Sequence, residues 1–118
     1  MSKPFRVRWS RAAIRDVDLI FDHLVESYQV LGDDPAEAFD RAVARAEAIK
    51  AEMRALGAAP FQGTLRNDLM PGLRHVTKNR AIYYFVADND AMTVNILAVF
   101  FGGQDHQRHI LTRLLSRE

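Results

Sequence analysis

A chain of 118 residues suits one domain, 1–118, because two would each have too little core to be stable. Hydrophobic residues at 48% against 26% charged exclude a disordered chain. No apolar run reaches the roughly 18 residues of a membrane span, and the first residues lack the apolar stretch of a signal peptide, so a cytoplasmic protein is expected. The absence of cysteine excludes disulfides, thiolate metal sites and cysteine nucleophiles.

The net charge of +1 argues against a general polyanion binder. The charges are nevertheless segregated. Residues 1–15 hold five Lys or Arg and no acid, while residues 16–40 hold eight acids and no Lys or Arg. A charged partner would therefore meet one side of the molecule and avoid the other.

In PFRVRW (4–9), Phe5, Val7 and Trp9 alternate with Arg6 and Arg8, the period of a half-buried strand. Ser10 reads as a helix N-cap. From there Ile14, Val17, Phe21, Leu24 and Tyr28, widened by Ile20, Val25 and Leu31, predict an amphipathic helix. Its acidic residues, Asp16 to Glu26, are expected to form a solvated face. Gly32-Asp33 interrupts this helix. DPAE (34–37) starts another, with Asp34 as N-cap, Pro35 at the first helical position and Glu37 completing a capping box. Phe39, Ala42, Val43, Ala46, Ile49, Met53 and Leu56 supply its apolar stripe up to Gly57. The two helices form an αα-hairpin.

The punctuated segment 57–72 has the length of a functional loop. Three strands are predicted beyond it, over 73–77, 80–87 and 92–101, with turns at Lys78-Asn79 and Asp88–Asp90, giving an antiparallel meander. In the last strand Met92, Val94, Ile96, Ala98 and Phe100 read as one apolar face, and Leu97, Val99 and Phe101 make the other apolar towards its end, so the strand is expected to be buried on both sides. Ile110, Leu111, Leu114 and Leu115 predict a short C-terminal helix. The fold class is α+β: an N-terminal strand, a helical hairpin, and a meander completing a twisted sheet. One sheet face is left bare unless the C-terminal helix or another protein covers it.

The succession VRWSRAA, DVDLIFDHL, PAEAF, LGAAPFQG, PGLRHVTKNRAIYYFV and VNILAVFFGGQDHQR resembles the RelE/ParE superfamily of toxins from type II toxin–antitoxin modules. The GLR entry to the second strand and the Gly-containing exit from the last resemble the ParE-like branch. This resemblance implies a toxin neutralised by a cognate antitoxin, with operator DNA reached only through that antitoxin and with no cofactor. ParE-like members inhibit DNA gyrase; RelE-like members cleave messenger RNA on the ribosome.

Metal-independent RNA cleavage needs proton transfer and cationic stabilisation of a charged phosphate. Arg74, His75, Arg80 and Tyr84 are the candidate catalytic residues for it. If Lys78-Asn79 is the turn, Thr77 opposes Arg80 and His75 opposes Ile82. His75, Arg80 and Tyr84 then share one face, and Arg74 shares the other with Tyr83. Where active RelE-like ribonucleases carry Arg, His or Tyr at the end of the last strand and just beyond it, this chain has Phe100, Phe101, Gly102 and Gly103, which can neither transfer a proton nor neutralise phosphate. The leading reading is therefore protein binding, in which Arg74, His75, Lys78, Arg80, Tyr84 and Phe101 meet an acidic-tailed antitoxin or a target; ribosome-dependent cleavage and a non-toxic interaction module of the same fold are the alternatives. The histidines of HQRH (106–109) have the spacing of two metal ligands, but no third ligand is evident and no metal is expected.

Overall fold

The computed structural model describes residues 3–102 and 105–116; Gly103 of the sequence argument lies outside them. The chain runs β1 (Arg6–Trp9), α1 (Arg11–Val30), α2 (Pro35–Ala55), a 3₁₀ turn (Leu56–Ala58), β2 (Thr64–Leu65), β3 (Leu73–Lys78), β4 (Ala81–Asp88), β5 (Thr93–Phe101) and α3 (His106–Ser116). Both expected N-caps are in place. The Ser10 hydroxyl accepts from Ala13 N, and Asp34 Oδ1 accepts from Glu37 N at 2.8 Å. Each satisfies one of the donors that a helix start leaves open. Among the described residues no helix is long and apolar enough to cross a membrane.

The sheet order is β1-β5-β4-β3-β2. The meander β3-β4-β5 is antiparallel as expected, but β1 lies parallel to β5, so the sheet is mixed. The helical hairpin α1–α2 carries the chain from β1 to the far edge of the sheet, and the meander then returns to lay β5 parallel to β1. The loop 57–72 also contributes an unforeseen short strand: β2 pairs Thr64 with His75 and Leu65 with Arg74. Gly57 is the point of closest approach between this segment and β1, where a Cβ would lie 2.1 Å from the Phe5 carbonyl oxygen.

Two cores flank the sheet. Val17, Ile20 and Leu24 of α1 and Ala42, Ile49 and Met53 of α2 pack on one face with Tyr83, Phe85, Val94, Ile96 and Val99. On the other face Leu73, Ile82, Tyr84, Ala98 and Phe100 pack against Ile110 of α3. The face that the sequence leaves open is thus covered by the chain's own C-terminal helix. Of the expected helix stripes, Ile14 and Leu31 in α1 and Phe39 in α2 are exposed. Alanines 12, 13, 38, 42 and 46 take much of the buried contact instead, since small residues let helix and sheet approach closely.

The register departs from expectation at two points. The β3–β4 turn is Asn79-Arg80 rather than Lys78-Asn79, so Arg80 leaves the strand, and Thr77 pairs with Ile82 and His75 with Tyr84. Both turn residues are left-handed, φ 50° and 71°, as a two-residue hairpin with the right twist requires. The second point is a bulge: Tyr84 faces Ala98 but Phe85 faces Ile96, leaving Leu97 as an extra residue. The bulge reverses the alternation of β5. Val94 and Ile96 face the hairpin, whereas Ala98 and Phe100 face α3, so the strand is buried on both sides as expected but the residues expected to share one face are divided between both cores.

Asp16 is not on a solvated face. It is 8% exposed, and Oδ2 accepts from Val99 N at 2.9 Å while Oδ1 pairs with Arg113 at 2.8 Å. Arg113 also donates to the Leu97 carbonyl at 2.8 Å. Replacing Asp16 with Ala leaves a poorly hydrated guanidinium and a backbone N–H unmatched. We expect a loss of about 3 kcal/mol in chemical denaturation, against a change within about 0.5 kcal/mol for exposed Asp18→Ala.

Candidate functional site

The six residues singled out by sequence separate into three places. His75 and Tyr84 are cross-strand partners on the α3 face of the sheet, with ring centroids 5.2 Å apart. Tyr84 is fully buried, and its hydroxyl is hydrogen-bonded to His106 Nδ1 at 2.7 Å. His106, at the start of α3, lies 5.8 Å from the His75 ring. The loop before β3 brings the Arg66–Asp68 ion pair to the same cluster, with Nη2 2.8 Å from Oδ2. Burial first, then the positive charge of Arg66 and of His106, holds the His75 imidazole below its ordinary 6.5, with Asp68 opposing. Burial pushes the Tyr84 phenol up.

Arg74 is directed to the hairpin face, opposite Phe85. Its Nη1 donates to the Phe61 carbonyl at 2.8 Å, and its guanidinium carbon lies 5.6 Å from the Phe61 ring centroid. Lys78 ends β3 opposite Ala81, half-buried.

Arg80 and Phe101 form the third place. The Phe101 ring carries two guanidinium groups, Arg45 of α2 at 5.1 Å and Arg80 at 5.9 Å from its centroid. Arg45 also donates to the Asn79 carbonyl of the hairpin turn. Behind them Glu52 accepts from the Asn79 amide and from the Tyr83 hydroxyl, the latter at 2.5 Å. Burial, reinforced by that carboxylate, keeps Tyr83 protonated far above the usual phenol range. His23, Leu24, Ser27, Tyr28 and Leu31 of α1 complete a groove of about 710 Å³ with Arg45, Arg80 and Phe101.

Sequence reasoning misses Arg45, Glu52, Arg66 and, as a partner of Tyr84, His106. Arg45 reaches a residue 34 positions away and His106 one 22 positions away, and periodicity carries no signal of such pairings. The two histidines of HQRH take separate neighbours, His106 on Tyr84 and His109 against the Phe100 ring at 5.6 Å. Among the described residues no three His, Asp or Glu side chains gather as metal ligands.

The mixed sheet with a helical hairpin on one face and a C-terminal helix on the other is the fold of the RelE/ParE toxins. The chain is similar to a chain of the chromosomal ParDE toxin–antitoxin system from P. aeruginosa, at 24% identity and TM-score 0.63, over 85% of this chain and 98% of that one. It is similar to a chain of the toxin–antitoxin complex RelBE2 from Mycobacterium tuberculosis, at 18% identity and TM-score 0.56, over 88% and 98%. A mutant of the E. coli toxin RelE with two arginines changed to alanine, in the free state, matches at 10% identity and TM-score 0.61, over 98% of both chains. No family model and no curated protein matches the sequence.

A histidine whose pKa is lowered by folding favours the fold fully above its unfolded value and loses that contribution as pH falls. We therefore expect stability to drop as pH falls below 6.5, and His75→Gln to flatten part of that dependence in denaturation series. Arg66→Gln should move the His75 titration upward by NMR.

Proposed function

We propose that this chain is the toxin of a type II toxin–antitoxin module, of the ParE-like kind. It acts in the cytoplasm by binding protein, with DNA gyrase as the target, and is silenced by a cognate antitoxin carrying an acidic segment. The observation that carries this reading over catalysis is the dispersal of the candidate catalytic residues. Tyr84 is fully buried and Arg74 is bound to the Phe61 carbonyl on the opposite face. Arg80 stands at the hairpin turn beside Phe101. A proton-transfer pair and a phosphate-binding arginine must meet at one reacting centre, and these do not. The similarity to ParDE over nearly all of that chain supports the choice of class.

A second reading, ribosome-dependent cleavage of messenger RNA, is favoured by one observation, the close grouping of His75, His106 and Arg66 beside Tyr84.

Expression of the chain should arrest growth, and co-expression of the adjacent reading frame should relieve the arrest. Purified protein should inhibit supercoiling by gyrase and leave messenger RNA intact on translating ribosomes. Cleavage that disappears with His75→Ala would replace the binding mechanism with the nuclease. Unimpaired growth would remove the toxin reading altogether.

A further inference from the structure

A cavity of about 330 Å³ lies where β5 runs on past its pairing with β1. Leu19 and His23 of α1, Val99 and Phe100 of β5, and His109 and Arg113 of α3 bound it. It takes no part in the proposed function.

The polar groups around this space are unevenly matched. Asp16, which also borders it, is occupied: Oδ2 accepts from Val99 N at 2.9 Å and from Arg113 Nη1 at 3.1 Å, and Oδ1 accepts from Arg113 Nη2 at 2.8 Å. Arg113 is not. A guanidinium carries five N–H donors in a fixed plane. Its end-on pair grips Asp16, and the outer Nη1–H goes to the Leu97 carbonyl. The side edge, formed by Nε–H and the second Nη2–H, has no acceptor among the described residues. No buried side-chain nitrogen among them lacks a partner, so Nε, which has none, is open to the exterior. His23 and His109 stand exposed at the rim. The His109 ring lies 5.6 Å from Phe100 and has no hydrogen-bond partner among the described residues.

The unmet need is therefore for a pair of acceptors held in one plane. A carboxylate supplies it, because its two oxygens match two parallel N–H groups of an arginine. No Lys and no second Arg borders the cavity among the described residues, which selects a single negative charge over a dianion. The remaining walls are apolar at Leu19, Val99 and Phe100. A dry apolar cavity of roughly 150 Å³ is enough to hold benzene, so this one has room for a ring and its carboxylate. Small-molecule sites combine apolar walls with a few convergent polar groups in this way.

We propose that the cavity between α1, β5 and α3 binds a small aromatic carboxylate, whose oxygens accept from the side edge of Arg113 and whose ring lies against Phe100 and Leu19. Such a ligand touches all three elements joined by the Asp16–Arg113 pair. It binds the folded chain alone and so stabilises it as its concentration rises.

The probes are benzoate, benzyl alcohol and acetate, titrated separately into the full chain at constant ionic strength. Benzoate should shift the Arg113 Nε–H resonance and the amides of Leu19 and Val99 saturably, with a dissociation constant on the order of 1 mM, and should raise the thermal midpoint. Benzyl alcohol keeps the ring without the charge, and acetate the charge without the ring; each should bind about tenfold more weakly or worse. Arg113→Lys keeps a cation for Asp16 but removes the side edge, and should bring benzoate down to the affinity of benzyl alcohol. His109→Glu, on the exposed rim, should also weaken benzoate and leave benzyl alcohol unchanged. It supplies the same comparison should Arg113→Lys not fold.

Absence of a saturable benzoate shift would overturn the assignment, as would shifts centred on Arg45 and Arg80 instead. Equal binding of benzoate and benzyl alcohol would overturn it too, as would benzoate affinity that survives His109→Glu unchanged. Growth arrest is not a readout here, so failure of this site leaves the toxin reading standing, and failure of that reading leaves the site.

Discussion

The molecule depends on how the uncovered half of β5 is closed. β1 pairs with Thr93 to Ile96, and among the described residues no strand pairs with β5 on that side beyond Ile96. A central, largely buried strand with open backbone groups is both costly and sticky. Here side chains stand in for the missing strand: Asp16 accepts from Val99 N, and Arg113 donates to Leu97 O. Arg113 and Asp16 also bind each other. One ion pair thus joins α1, β5 and α3, elements that lie on different faces of the sheet. Its burial would be unfavourable if either partner stood alone.

That closure sets where the candidate residues can go. With α3 drawn against the outer face, Ile110 fills the space over Tyr84 and Phe100, and His106 reaches the Tyr84 hydroxyl. The residues on that face therefore serve the attachment of α3 before anything else. What remains accessible is the opposite end of the hairpin, where α1, α2 and the β3–β4 turn leave a groove bounded by arginines. An open groove beside a sealed outer face is the arrangement on which the proposed binding mechanism draws.

All the elements but β2 were legible in the sequence because each rests on local chemistry. Ser10 and Asp34 as caps, Pro35 at the first helical position and the 3.6 periodicity of α1 all act within a few residues. Three further features were not legible, each for a physical reason. Asp16 looks like its neighbours Asp18 and Asp22, and only the packing of α3, 97 positions away, makes it a core residue. The turn at Asn79-Arg80 puts arginine where glycine or asparagine is favoured, so composition points one residue too early. Leu97 is one apolar residue among many, and nothing in an alternating apolar run marks which member is squeezed out of the ladder. The candidate site was less legible than the fold because its members, Arg45 with Phe101 and His106 with Tyr84, meet only through the tertiary structure.

The displaced Leu97 has a consequence for how such a scaffold can diversify. Because the alternation of β5 inverts there, it is Phe101, not Phe100, that looks toward the helical hairpin. Removing the bulge at constant length, so that Leu97 enters the ladder opposite Tyr84, would exchange which side chains at the strand's end reach the groove and which lie beneath α3. Two closely related proteins of equal length, one with the bulge and one without it, could then present quite different chemistry at the same mouth. Comparing them position by position would hide the exchange; aligning them by the pleat of the strand would reveal it.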